Sequence, residues 1–167
     1  MAAVTLQGAG YAVNSDHGAA CNIHPPQKQN CGRRLGNAAL ALQYKKSVTY
    51  KSPSFASAQL GAASATITLN DVTPAGLVLL PSANAGTVNC TASKGTCAWA
   101  ALQFDDPANS WVNASVALTA DAQGMVLSAP PPAGSSKVTA SSYAWGAIPF
   151  MTVYLADADL PVRAWRV

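Results

Sequence analysis

Apolar and polar residues alternate one by one through Ala65-Thr66-Ile67-Thr68-Leu69, the period of a strand with one face in a core and the other in water. An apolar run follows in Gly76-Leu77-Val78-Leu79-Leu80, and patterns mixing aromatic and β-branched residues run from Trp99 to Phe104 and from Trp111 to Leu118. Lys137 to Trp145 reads as a further strand. Turn formers separate them: Asn70-Asp71, Pro81-Ser82, Asp105-Asp106-Pro107, Asp121-Ala122-Gln123-Gly124, and the loop from Ala129 to Ser136 with prolines at 130, 131 and 132. Short strands punctuated at such spacing predict a β-sandwich, and no self-similar period points to a propeller or a solenoid.

The first 45 residues follow another period. From Gln27 onward, Cys31, Leu35, Ala38 and Leu42 recur at intervals of four, three and four, one stripe of an amphipathic helix, with Asn30, Arg33 and Asn37 facing away. Leu40 falls off that stripe, so the helix is expected to pack on more than one side. Pro25 and Pro26 stand just before it, where proline suits a helix start. The character changes at Lys45-Lys46, which sets two units, 1–45 and 46–167. The expected fold class is mainly β, a C-terminal β-sandwich preceded by a strand, loop and helix. The apolar stripe of residues 1–45 also predicts surface that the isolated chain leaves exposed.

Composition narrows the function classes. Charged residues make up 10 % of the 167, against about 25 % in typical domains, and the net charge is +3. Six of the ten basic residues, Lys28, Arg33, Arg34, Lys45, Lys46 and Lys51, lie on or just after the helix. Without interleaved aromatics or a nucleic-acid-binding motif, that cluster reads as a solvated helix face and a charged linker, with no nucleic-acid partner. No run of about 18 apolar residues occurs, so no membrane span is expected, and Met1 is not followed by the basic start and apolar core of a signal peptide.

The candidate chemistry centres on His24. At the mouth of a helix N-terminus, the positive end of the dipole disfavours imidazolium by a few tenths to about 1 kcal/mol, which keeps a ring neutral and able to accept a proton. That suits a general base. Asp16 is the one carboxylate in the first 70 residues and the chain has no glutamate, so Asp16 is the local candidate for orienting the histidine. Its setting, Asn14-Ser15-Asp16-His17-Gly18, is rich in turn formers and equally fits a solvated turn residue, with His17 an exposed loop histidine. No Gly-x-Ser-x-Gly stretch occurs, and no serine sits in a glycine-framed turn between an apolar strand and a helix.

Asn22-Ile23-His24-Pro25, then Lys28-Gln29, Gly32-Arg33-Arg34-Leu35 and Ala39-Leu40-Ala41-Leu42, together resemble sialate O-acetylesterase. Tyr143-Ala144-Trp145, Pro149-Phe150, Tyr154 and Leu160-Pro161 resemble that family's C-terminal signature in the right order, and Met1 to Leu6 resemble an internal strand ahead of the histidine. The resemblance implies a serine esterase of the SGNH hydrolase type that removes acetyl groups from sugar hydroxyls. Residues 1–45 would be the end of its α/β catalytic domain, and 46–167 the sandwich that supports it. His24 would be the base, no cofactor would be needed, and the partners would be an O-acetylated sugar and the serine-bearing part of the catalytic domain. Where many relatives have aspartate this chain has Asn22, so the triad acid is not supplied at that position. The other expectation is a non-catalytic β-sandwich module that supports a partner or binds carbohydrate.

Four cysteines and two glycosylation patterns point to an oxidising compartment, secreted or lysosomal. Cys90 and Cys97 bracket a short polar loop that a disulfide would staple, and Asn89 and Asn113 head Asn-x-Thr and Asn-x-Ser. Three pairings of the four cysteines stay open. A zinc site from Cys21, His24 and Cys31 lacks the usual spacing and a fourth ligand. Trp99 and Trp145 lie in apolar strand patterns and are expected in the core, although an exposed indole would suit a pyranose face.

Overall fold

The computed structural model describes residues 6, 8–18, 24, 27–80, 99–146 and 149–167. The chain is mainly β, as the alternation predicts. A single 3-10 turn, Ser15–His17, is followed by the helix α1, Lys28–Leu42. The strands are β1 (Ser54–Leu60), β2 (Ser64–Asn70), β3 (Leu77–Leu79), β4 (Ala100–Phe104), β5 (Trp111–Leu118), β6 (Gly124–Ser128), β7 (Val138–Tyr143), β8 (Val153–Leu155) and β9 (Trp165–Arg166).

Seven of them form one antiparallel sheet in the order β1-β2-β6-β5-β4-β7-β9, and β3 pairs with β8 in a separate ribbon. The long sheet folds on itself at β5. Residues 111–114 of β5 pair with β4, and residues 115–118 pair with β6, so one strand serves both leaves of the sandwich. At the far side the leaves nearly meet, where the Val138 amide donates to the Gly61 carbonyl at 2.9 Å. A sheet curled this way leaves little open edge, which limits pairing with other chains.

The core fills the space between the leaves. Ile67 and Leu69 of β2, Leu102 and Phe104 of β4, and Met125 and Leu127 of β6 all point inward, and fully burying such a side chain contributes about 1.5–3 kcal/mol. The alternation read in β2 is the observed one: Ala65, Ile67 and Leu69 are buried, and Thr66, Thr68 and Asn70 are exposed. Gly124, which opens β6, has no room for a side chain, because a Cβ there would stand 2.6 Å from the Ile67 carbonyl oxygen. A second layer closes the core at the C-terminal end. Tyr143 stacks on Trp165 with ring centroids 5.0 Å apart, and the Tyr143 hydroxyl accepts from the amides of Thr152 and Val153 at 2.9 and 3.0 Å.

Three sequence expectations need correction. Strands β1, β6, β8 and β9 were not predicted. Ser54-Phe55-Ala56-Ser57-Ala58-Gln59-Leu60 carries mostly small side chains, so β1 has no apolar period to read, and its register also shifts between Phe55 and Ser57. Trp99 and Trp145 are not core residues. They are 41 % and 56 % exposed, and Trp165 holds the inner position instead. In α1 the buried residues are Arg34 and Ala38, while Leu35, placed on the predicted inward stripe, is 48 % exposed. Leu40 is exposed as well, so apolar surface does remain open on this helix. Lys45, in the left-handed region at φ 55°, turns the chain out of α1, and the Lys46 amide closes the end on the Leu40 carbonyl at 3.0 Å.

Candidate functional site

The helix is seated by charge, and the seat brings together residues that are far apart in the chain. Arg34 points from the middle of α1 into a fork-to-fork pair with Asp16 of the 3-10 turn, its Nη1 and Nη2 each 2.7 Å from a carboxylate oxygen. Its remaining donors reach the Val13 carbonyl at 2.5 Å, the Asp159 carbonyl at 2.8 Å and the Asp159 carboxylate at 3.2 Å. From β8, the Tyr154 hydroxyl donates to Asp16 Oδ2 at 3.0 Å. Asp16 is wholly buried and Arg34 is 2 % exposed, so the pair is shielded from solvent and each partner needs the other. Arg33, one residue earlier and outward, closes the outer side of the cluster on Asp159.

Burial disfavours the charged form of Arg34, but the hydrogen bond and charge of Asp16, followed by those of Asp159, outweigh it and hold its pKa above the ordinary value. Burial, reinforced by the nearby Asp16 charge, raises the Tyr154 phenol, which therefore stays a proton donor to that carboxylate.

His17 stands at the edge of the same cluster. Its Nε2 lies 3.3 Å from Asp16 Oδ2, and the Asn30 carboxamide of α1 lies 3.0 Å from the same ring nitrogen. The expectation of an exposed loop histidine is corrected, since the side chain is only 11 % exposed. The solvated-turn reading of Asp16 is corrected too. Arg34, read as part of a solvated basic face, is the most buried cation in the structure's described part. In the sequence, Tyr154 stands out only within the resemblance, and Arg34 only there and in the basic cluster. Their signal was weak because a lone arginine on a polar helix carries no period.

Asp16, His17 and Asp159 bring potential ligand atoms within 4.8 Å of one another. The donor set does not suit a metal ion. The Arg34 guanidinium lies among these groups and already pairs with both carboxylates, so a bound cation would have to face a fixed positive charge.

His24 falls between the 3-10 turn and α1 in the chain, is exposed, and stands three residues ahead of Gln27, the N-cap of the helix. Residues 19–23, 25 and 26 around it are outside the described part, as are Cys90, Cys97 and Asn89. Among the described residues, Asp16 is bonded to Arg34 and Tyr154 and stands beside His17. Asn113 is exposed on β5. Cys31 is half-buried on α1 with a free thiol. No helix among the described residues is long and apolar enough to cross a membrane.

Away from α1 in sequence, the exposed Trp99 and Trp145 flank Gly146. A Cβ on Gly146 would fall 1.9 Å from the Trp99 ring, so this glycine lets the indole lie directly on the backbone. Phe150 meets Trp99 edge-on with centroids 5.6 Å apart. The ring is therefore fixed from behind and open in front.

No family model and no curated protein sequence matches the chain. Among solved structures, a carbohydrate acetylesterase from Xanthomonas citri superposes on 93 % of this chain with a TM-score of 0.68 and 21 % identity. The fold is shared. The superposition covers 32 % of that protein, so the chain spans about a third of its length. A span of 93 % is too wide to omit the whole of either the 1–45 segment or the sandwich.

Proposed function

We propose that this chain is the histidine-bearing C-terminal portion of a carbohydrate O-acetylesterase of the sialate type. The carrying observation is the superposition on a carbohydrate acetylesterase that includes both the helix segment and the sandwich. In this reading His24 is the general base that takes the proton of a serine hydroxyl as it attacks the acetyl carbonyl. The serine and the amide donors for the oxyanion come from an α/β part that these 167 residues do not contain. The exposed Leu35 and Leu40 of α1 fit a surface which that part covers.

Asp16 serves here by holding Arg34, and with it α1, whose start follows His24 in the chain. The isolated chain is inactive on this account, because it has the base without the nucleophile.

The test is acetyl release from an O-acetylated sialic acid by the chain joined to a serine-bearing SGNH segment. His24→Ala should remove activity by about 10³-fold or more while leaving the chain folded. Turnover that survives this substitution would overturn the assignment of His24. A second reading, a carbohydrate-binding module without catalysis, is favoured by the two exposed tryptophans, since an indole fixed on Gly146 offers a flat face to a pyranose ring. The joined protein separates them: a pure binding module retains sugars and is indifferent to His24.

A further inference from the structure

A groove of about 340 Å³ runs between the outer face of α1 and the turn that follows β8. Its walls include Arg33, Asn37, Thr49, Asp157 and Asp159, with Val48 and Leu160 supplying the apolar part. We propose that this groove binds one ring of a neutral, polyhydroxylated sugar. The proposal rests on the carbohydrate reading above and adds to it a place and a ligand chemistry.

The charges select the ligand. Arg33, Arg34, Asp157 and Asp159 line the groove together, two of each sign, and three of the four are already satisfied within the protein. Arg34 is spent on Asp16 and Asp159, and Arg33 shares Asp159. An anion would meet the carboxylates and a cation the guanidinium groups, so neither gains net attraction. What the groove keeps is hydrogen-bonding capacity of both kinds. Among the described residues, nothing bonds to the half-buried Asn37 carboxamide or to the Thr49 hydroxyl, and Asp157 commits only Oδ1, to Thr73 at 2.8 Å. Asn37 and Thr49 can each donate and accept, Asp157 Oδ2 accepts, and the outer N–H groups of Arg33 donate.

Vicinal hydroxyls, each a donor and an acceptor, are the groups that use such a mixture fully. The C–H face of the ring would rest on the half-buried Val48, with Leu160 beneath it in the core. The volume lies at the lower end of small-molecule sites, which fits one ring and not a chain of several. The floor is rigid, because the Arg34 pair fixes α1 against the 157–160 turn from beneath.

The experiment is a titration of the isotopically labelled 167-residue chain, followed by amide chemical shifts. The probes are the methyl pyranosides of glucose, galactose, mannose and xylose, with N-acetylneuraminic acid as the charged comparator. The expected result is saturable shifts at residues 37, 49 and 158 with at least one neutral pyranoside, at a Kd of about 1–10 mM. Asn37→Ala, which breaks no bond within the protein, should weaken binding about tenfold, and Asp157→Asn should do the same. Absence of shifts at these residues with all four neutral sugars would overturn the proposal. So would shifts that persist unchanged in Asn37→Ala, or shifts seen only with the sugar acid. Acetyl release that depends on His24 is read separately, so the groove can fail while the esterase reading stands, and the reverse.

Discussion

Between the leaves of the sandwich, Ile67, Leu102, Phe104 and Leu127 meet one another with no polar partner, whereas α1 meets the same sandwich through Arg34, Asp16, Tyr154 and Asp159. The first contact is non-directional, and its strength follows area. It tolerates change in shape as long as volume is kept. The second is directional, with few atoms, and depends on every partner staying in place, since a buried charge that loses its mate keeps its desolvation cost. The sandwich therefore behaves as a scaffold. The helix behaves as a part held in one position.

Cutting the apolar side of this contrast should give the largest effect. Phe104 is fully buried at the end of β4, and Phe104→Ala should cost about 4 kcal/mol through lost transfer energy and the cavity left behind. Denaturant unfolding should stay a single transition with an earlier midpoint and unchanged slope. A loss below about 1 kcal/mol would mean that the leaves close around the gap and that the core is looser than its burial implies.

Cutting the charged side should cost slightly less but act locally. Arg34→Ala leaves Asp16 buried with only Tyr154 and His17 beside it, a loss of about 3 kcal/mol. Amide exchange should quicken along α1 and the 3-10 turn while β2, β4 and β6 keep their protection. Arg34→Met combined with Asp16→Leu removes both charges, and it should recover most of that stability while letting the helix shift. Equal exchange rates in the wild type and Arg34→Ala would show that α1 is seated by other contacts.

The same contrast explains what could be read from the residues. Strand β2 is legible because burial writes itself as alternation, and β5 because a run of eight residues carries enough aromatic and branched side chains to stand out. The existence of α1 was legible from its period, but its inward face was not. The stripe rule counts apolar positions, and here a guanidinium displaced Leu35 from the interface, because an exact carboxylate fork lay opposite. That fork is made by residues 18 apart, and its phenol donor is 138 residues away from Asp16, separations that no local pattern encodes. Tryptophan misled for the opposite reason. Trp99 stands next to an apolar strand, but Gly146 gives its ring a place on the outside of the backbone, and a glycine partner leaves no hydrophobic signal.

The smallest effect concerns a polar clasp within the scaffold itself. Asp105, in the turn after β4, accepts from the Ser136 hydroxyl and from the amides of Ser136 and Lys137 at 2.5, 2.7 and 3.0 Å, tying that turn to the start of β7. These bonds, the Ser136 hydroxyl first, lower its pKa to about 2. The folded chain thus binds this proton less readily than the unfolded chain. The resulting stabilisation is complete above the ordinary carboxylate range and is lost as pH falls from about 4 to 2. Asp105→Asn keeps an acceptor oxygen but removes the charge, so the variant should be less stable at pH 6 and match the wild type at pH 2. Thermal midpoints at both values check this, and a difference as large at pH 2 as at pH 6 would assign the clasp to geometry instead of charge. Because the group is open to solvent, the gap at pH 6 should narrow with added salt if charge carries it, unlike the loss from Phe104→Ala, which salt would leave in place.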